Sequence, residues 1–123
     1  MRKQYYFRPS DRGLLAWDVD RLVRLSRDLP RNRVPLTAIP ELDELWHGDD
    51  ERPTWRAFVD HARLMGEADL AYPIILSANG AVMDGMHRVA KALSLGLSDI
   101  EAVQFKEDPE PDHVGREPTE LPY

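Results

Sequence analysis

Between Pro73 and Ser94 the chain must change conformation repeatedly with almost no residues to spare, and this limits what it can fold into. Pro73 to Leu76 is a short apolar run that reads as a buried strand. Ala78-Asn79-Gly80 follows as a hairpin turn, with Asn-Gly supplying the residues that tolerate φ > 0. Ala81 to Met83 returns as the partner strand. Helical spacing then begins at once: Val89, Ala90, Ala92 and Leu93 continue a helix that Gly96 closes. Such a run reads as two short strands joined by a hairpin and followed directly by a helix.

The junction between strand and helix is Asp84-Gly85-Met86-His87-Arg88. The first N–H groups of a helix lack intrahelical partners, and with the macrodipole they make an anion site. Gly85 lets the backbone turn and lets a ligand approach without a Cβ in the way. Arg88 carries a planar fork suited to phosphate, and His87 can donate a hydrogen bond or a proton to a phosphate oxygen. Asp84 has three open readings: a helix cap, a magnesium ligand between phosphates, or an orienting partner for His87. Arg88 faces an unfavourable dipole and needs a partner, for which a nearby acid and a phosphate are equal candidates.

The remaining elements are simpler. Gln4 to Phe7 reads as an edge strand or a docked segment. Asp18 caps a helix in which Val19, Leu22, Val23 and Ser26 share a face, and Pro30 ends it. Val34 to Ile39 reads as a strand, with Pro35 placing it at an edge or a strand start. Pro40 opens a short helix through Trp46, with Glu41, Asp43 and Glu44 near its positive end. His47 to Pro53 is a polar loop. Thr54 caps a helix in which Trp55, Phe58, Val59 and Ala62 recur at helical spacing and Gly66 offers a stop. Ile100 to Phe105 alternates as a last strand.

Composition then excludes whole classes. A chain of 123 residues makes one domain. With no cysteine there is no disulfide, thiolate metal site or thiol nucleophile. The start Met-Arg-Lys-Gln-Tyr-Tyr-Phe-Arg lacks the apolar run of a signal peptide, and no stretch approaches the ~20 apolar residues of a bilayer span. A cytoplasmic protein with no membrane partner is expected. The formal charge is −6, which argues against DNA binding by this domain alone, since that rests on phosphate neutralisation by Lys and Arg. Residues 106–123 hold six acids, two bases and four prolines, so −4 of the total lies there and −2 on residues 1–105. The expected organisation is a single domain over 1–105, with 1–30 as an N-terminal helical addition, and an acidic, proline-rich tail over 106–123. That tail is expected to be extended or disordered, or laid on a neighbouring surface.

Other residues carry weaker signals. His47, His61 and His113 show no metal-ligand spacing, and His61 is placed at an exposed or boundary face of its helix. Trp17, Trp46 and Trp55 read as core or core-edge aromatics. Arg21, Arg24 and Arg27, joined by Arg31 and Arg33, form a basic patch, read as a solvated face paired with acids or as a dock for the tail, a protein or nucleic acid.

The stretch YPIILSANGAVMDGMHRVAKALSLGLSDIEAVQF, Tyr72 to Phe105, resembles the core of the ParB/sulfiredoxin-like superfamily. The likeness extends backward to Arg33-Val34-Pro35-Leu36-Thr37-Ala38-Ile39, similar to that family's opening strand. It implies a small α+β fold, a short mixed sheet with its hairpin packed against helices, in which a Gly-x-[His/Arg]-Arg loop at a helix N-terminus binds nucleotide phosphates. Sulfiredoxins carry their catalytic cysteine where this chain has Met86, and a thioether cannot replace a thiolate. ParB proteins that hydrolyse CTP carry Gly-Glu-Arg-Arg, which Gly85 and Arg88 match while Met86 and His87 depart. The free-serine kinases of the superfamily carry a loop similar to Asp-Gly-x-His-Arg, matched by Asp84, Gly85, His87 and Arg88. Those enzymes use a glutamate after the opening strand as base, a region where this chain has Glu41 and Glu44.

Two functional classes follow. The first is a domain binding a nucleoside di- or triphosphate with Mg2+, or another phosphorylated small molecule, and acting as a phosphotransferase or nucleotide hydrolase. Gly85, Met86, His87 and Arg88 would hold phosphates, Asp84 the metal, and Glu41, Glu44 and His87 the chemistry. The second is a non-catalytic regulatory module whose partner is a nucleotide, another protein or a second copy of the chain.

Overall fold

A computed structural model describes residues 3–44 and 54–123. Its elements run β1 (Tyr5–Arg8), β2 (Leu15–Asp18), α1 (Val19–Ser26), β3 (Asn32–Pro35), α2 (Trp55–Glu67), β4 (Ile74–Leu76), β5 (Val82–Asp84), α3 (Met86–Ser94), β6 (Asp99–Gln104) and β7 (His113–Val114). Single 3-10 turns occupy Leu36–Ala38, Pro40–Asp43 and Pro118–Glu120. The class is α+β.

The central sheet has the order β3-β6-β4-β5 and is mixed: β4 and β6 are parallel, while β3/β6 and β4/β5 are antiparallel. Side chains alternate across a strand, so the sheet divides the core in two. Ile74, Leu76, Val82, Ile100 and Ala102 pack beneath Val89 and Ala92 of α3 and against Leu36 and Ile39. Ile75, Met83, Val103 and Phe105 face the other way, onto Leu15 and Trp17 of β2 and Leu22 of α1. Burial on both faces explains why Ile74-Ile75-Leu76 is apolar without alternation.

Local signals held where they depended on near neighbours. Asp18 caps α1 by accepting from the Asp20 N–H at 2.9 Å. Thr54 caps α2 by accepting from the Ala57 N–H at 3.0 Å. The hairpin closes through Gly80 N–H to Ser77 C=O at 2.9 Å and Ser77 N–H to Ala81 C=O at 2.8 Å. Only Gly80, at φ +92°, takes the left-handed conformation; Asn79 does not.

Several elements differ from expectation. The strand expected over Val34 to Ile39 ends at Pro35, and Leu36 and Ile39, three apart, turn inward together through a 3-10 turn. The helix expected from Pro40 through Trp46 is a 3-10 turn over Pro40–Asp43. Trp46, His47 and the loop to Pro53 lie outside the described residues. Helix α2 runs past Gly66 to Glu67, because Lys91 Nζ donates to the Gly66 and Ala68 carbonyls at 3.0 and 2.7 Å and satisfies its C-terminal end.

Residues 106–123 are extended, and they are docked. β7 pairs antiparallel with β2, in a second sheet of order β1-β2-β7. Trp17 Nε1 donates to the Pro109 carbonyl at 2.7 Å. Asp112 accepts from the Asp18 N–H at 2.8 Å and from Arg21 at 3.2 Å. Leu121 is buried. Composition reports how little this segment buries within itself; it does not report that its carbonyls and carboxylates satisfy donors on β1, β2 and α1. Arg21 thus meets the segment, whereas Arg33 pairs with Asp99 and Arg31 with Glu101.

Candidate functional site

The turn from β5 into α3 needs a glycine for two reasons. Gly85 has φ +112°, a conformation that costs an L-residue ~1–2 kcal/mol. A Cβ there would also come within 2.7 Å of Ile74 Cγ2 and 2.9 Å of an Arg88 Nη. The space expected to admit a ligand against Gly85 is therefore filled from within, by Ile74 and by the Arg88 guanidinium.

Asp84 does not cap α3, since Gly85 holds that position with no side-chain cap. Instead Arg88 donates to the Asp84 carboxylate at 2.9 Å, with both side chains about one-fifth exposed. Arg88 Nε is buried with no hydrogen-bond partner. The first turn of α3 therefore presents a fixed guanidinium with part of its donor capacity unused.

Two concavities meet at this turn. The larger is a cleft of about 970 Å3 between α2, α3 and the Pro40–Asp43 turn with Glu44; Glu41, Glu44, Trp55, Phe58, His61 and His87 line it, along with Met86. The smaller, about 260 Å3, is lined by Asp84, Gly85, Arg88, Glu67 and Asp69, again with Met86 and His87. All seven residues singled out from the sequence thus fall on two adjoining concavities that share Met86 and His87.

Their local states differ. Glu41 Oε2 accepts from the Val82 N–H at 2.6 Å, while its Oε1 is buried with no hydrogen-bond partner. Glu41 therefore ties its turn to β5 and keeps one oxygen uncommitted. Glu44 is exposed at the cleft edge. His87 is held below the ordinary histidine range, first because burial disfavours its charged form and second because His61 lies against it. His61 Nδ1 is 2.9 Å from His87 Nε2.

Sequence reasoning weighed His61 only as a metal ligand at the exposed or boundary face of its helix, not as a partner of His87. The available signal was its place between Phe58 and Met65 on the stripe that continues from Trp55. Trp55 belongs here too: it is 85 % exposed, meets Phe58 edge to face at a centroid distance of 6.3 Å, and forms part of the cleft rather than of the core. His113 lies on β7 against Tyr5 and lines neither concavity. Among the described residues no group of three or more His, Cys, Asp or Glu is placed to hold a metal ion. No helix among them is long and apolar enough to cross a membrane.

No protein-family model, curated protein or solved structure matches the chain.

Proposed function

We propose that this domain binds a nucleotide or a related phosphorylated small molecule, with its phosphates at the first turn of α3 and its apolar part in the larger cleft. The observation that carries this reading is the shared wall: Met86 and His87 line both concavities. One ligand can thus reach Arg88 on one side and Trp55 and Phe58 on the other. Aromatic faces stack on any nucleobase, at ~1–3 kcal/mol per base. Helix N–H groups, Arg88 and His87 supply phosphate donors. The resemblance to the ParB/sulfiredoxin-like superfamily rests on the same loop and points the same way. A cytoplasmic setting accords with such a ligand.

Asp84 fits a magnesium ion that arrives with the nucleotide better than a resident metal. One of its oxygens holds Arg88, and Mg2+ commonly takes one or two carboxylates and completes its shell with phosphate oxygens and water.

Phosphoryl transfer or nucleotide hydrolysis is the activity the cleft is best equipped for, because Glu44, Glu41 and His87 line the same space and one oxygen of Glu41 has no hydrogen-bond partner. Either carboxylate can serve as base toward a hydroxyl or water, and His87, its pKa pushed down by burial, can pass a proton. A regulatory module without catalysis is favoured by a different observation. Trp55, Phe58 and Val59 stay more than half exposed on α2, as suits a surface that meets another protein or a second copy.

A thermal-shift and calorimetric series with nucleoside di- and triphosphates, with and without Mg2+, tests the binding reading, because a ligand of the native state raises apparent stability by mass action. No shift with any nucleotide would refute it. With a binding nucleotide in hand, loss of turnover in Glu41→Gln or Glu44→Gln at nearly unchanged affinity supports the enzyme; absence of wild-type turnover supports the module.

A further inference from the structure

His61 on α2 and His87 on α3 meet end to end. Nδ1 of one lies 2.9 Å from Nε2 of the other, the ring centroids are 5.2 Å apart, and the planes are inclined by only 22°. Such a contact holds one hydrogen: one nitrogen donates and the other accepts. A second added proton would put hydrogens on both facing nitrogens, break the bond and set two cations together. The pair therefore has two stable charge states. It is neutral, or it carries one added proton, taken at the outer nitrogen of the donating ring, whereupon the bond between the rings becomes charge-assisted and stronger.

Its surroundings favour a change between those states. Glu41 and Glu44 share the larger cleft with both rings, and Glu67, Asp69, Asp84 and Arg88 line the smaller concavity with His87, where Arg88 is already paired with Asp84. Burial disfavours the charged form of His87 and pushes its pKa down. An anion beside the rings reverses that balance, since a nearby opposite charge favours the protonated form.

We propose that His61 and His87 act as one proton-sharing unit that takes up a single proton when a phosphate-bearing ligand enters the cleft. His61 then acts as a positioning residue that sets the charge offered by His87, and the site gains one cation beside Arg88 rather than two. This inference rests on the reading that a phosphorylated ligand binds at the first turn of α3.

Calorimetry on the full chain, with ADP and Mg2+ near pH ~7.5 in buffers of different ionisation enthalpy, counts the protons taken up on binding. Wild type is expected to take up a large fraction of one proton per site, and His61→Asn and His87→Asn are each expected to lose most of it. Binding without uptake, or uptake that survives in His61→Asn, overturns this inference alone. No binding of ADP, ATP or pyrophosphate by wild type overturns the nucleotide reading and this inference together. A measurement on unsubstituted protein guards against misfolded variants: in a titration of labelled histidine followed by NMR, the two rings should shift together through the first protonation step. Independent titration of the two rings overturns the shared proton.

Discussion

The Arg88 guanidinium donates to the Asp84 carboxylate at 2.9 Å, bridging from the first turn of α3 back to the end of β5. A cation at a helix N-terminus faces the positive end of the dipole, and Asp84 offsets that cost. The pair also makes Asp84 a competitor of any phosphate that Arg88 is to hold. Arg88→Ala should weaken nucleotide binding by roughly 10- to 100-fold, the loss of one or two charge-assisted hydrogen bonds. Asp84→Asn should tighten binding of the magnesium-free nucleotide and reduce the effect of Mg2+. Unchanged calorimetric affinity in Arg88→Ala would refute the site.

Gly85→Ala combines a left-handed φ with a Cβ pressed against Ile74. The expected destabilisation is about 2–4 kcal/mol, the sum of backbone strain and overpacking. Urea unfolding of the variant measures it. A loss below ~1 kcal/mol would mean that the β5–α3 turn relaxes freely.

Trp55 separates binding from stability. Because it is 85 % exposed, Trp55→Ala should change stability by no more than ~0.5 kcal/mol. Loss of a base-stacking surface should still weaken nucleotide affinity by roughly tenfold. A large drop in unfolding midpoint with unchanged affinity would place Trp55 in the core after all.

The acid side of the stability profile should carry a signature of His87. Its pKa in the folded chain lies below the ordinary 6.5, so between those two values the unfolded chain binds more protons than the folded one. Stability therefore rises with pH through that window, is lost as pH falls through it, and is independent of this group above about pH 7.5. In His87→Asn the fall between about pH 7.5 and 5.5 should be smaller than in wild type, as chemical unfolding at each pH reports. Identical slopes would show that His87 is not held neutral by the fold.

Asp108 fastens residues 106–123 to the rest of the domain. It accepts from Arg8 at 3.0 Å and from the Ala78 N–H of the hairpin at 2.8 Å, while the Arg8 guanidinium lies 4.9 Å from the Trp17 ring centroid. Asp108→Ala leaves Arg8, whose one Nη is already buried and unpaired, with a further unmet donor. A cost of about 1–3 kcal/mol in denaturant unfolding is expected. No change would mean that the docked segment contributes little to stability.

What the sequence alone determined is what depends on residues close along the chain. The caps at Asp18 and Thr54, the Gly80 turn and the Gly85 elbow each involve partners within a few positions, and a strand buried on both faces shows itself as Ile74-Ile75-Leu76. The α+β class and the candidate loop at Asp84–Arg88 were legible for that reason. Tertiary structure decided the rest, because hydrogen bonds and burial join residues far apart in sequence. Glu41 reaches a backbone N–H 41 positions away, and His61 meets His87 across 26 positions. Periodicity placed Trp55 and Phe58 on one helical face but could not say whether protein or open cleft lies opposite. Acidic composition made residues 106–123 look separable, although Pro109, Asp108 and Asp112 satisfy donors on distant strands. Local pattern fixes a backbone's conformation and the side on which a residue sits; only packing fixes what that side touches.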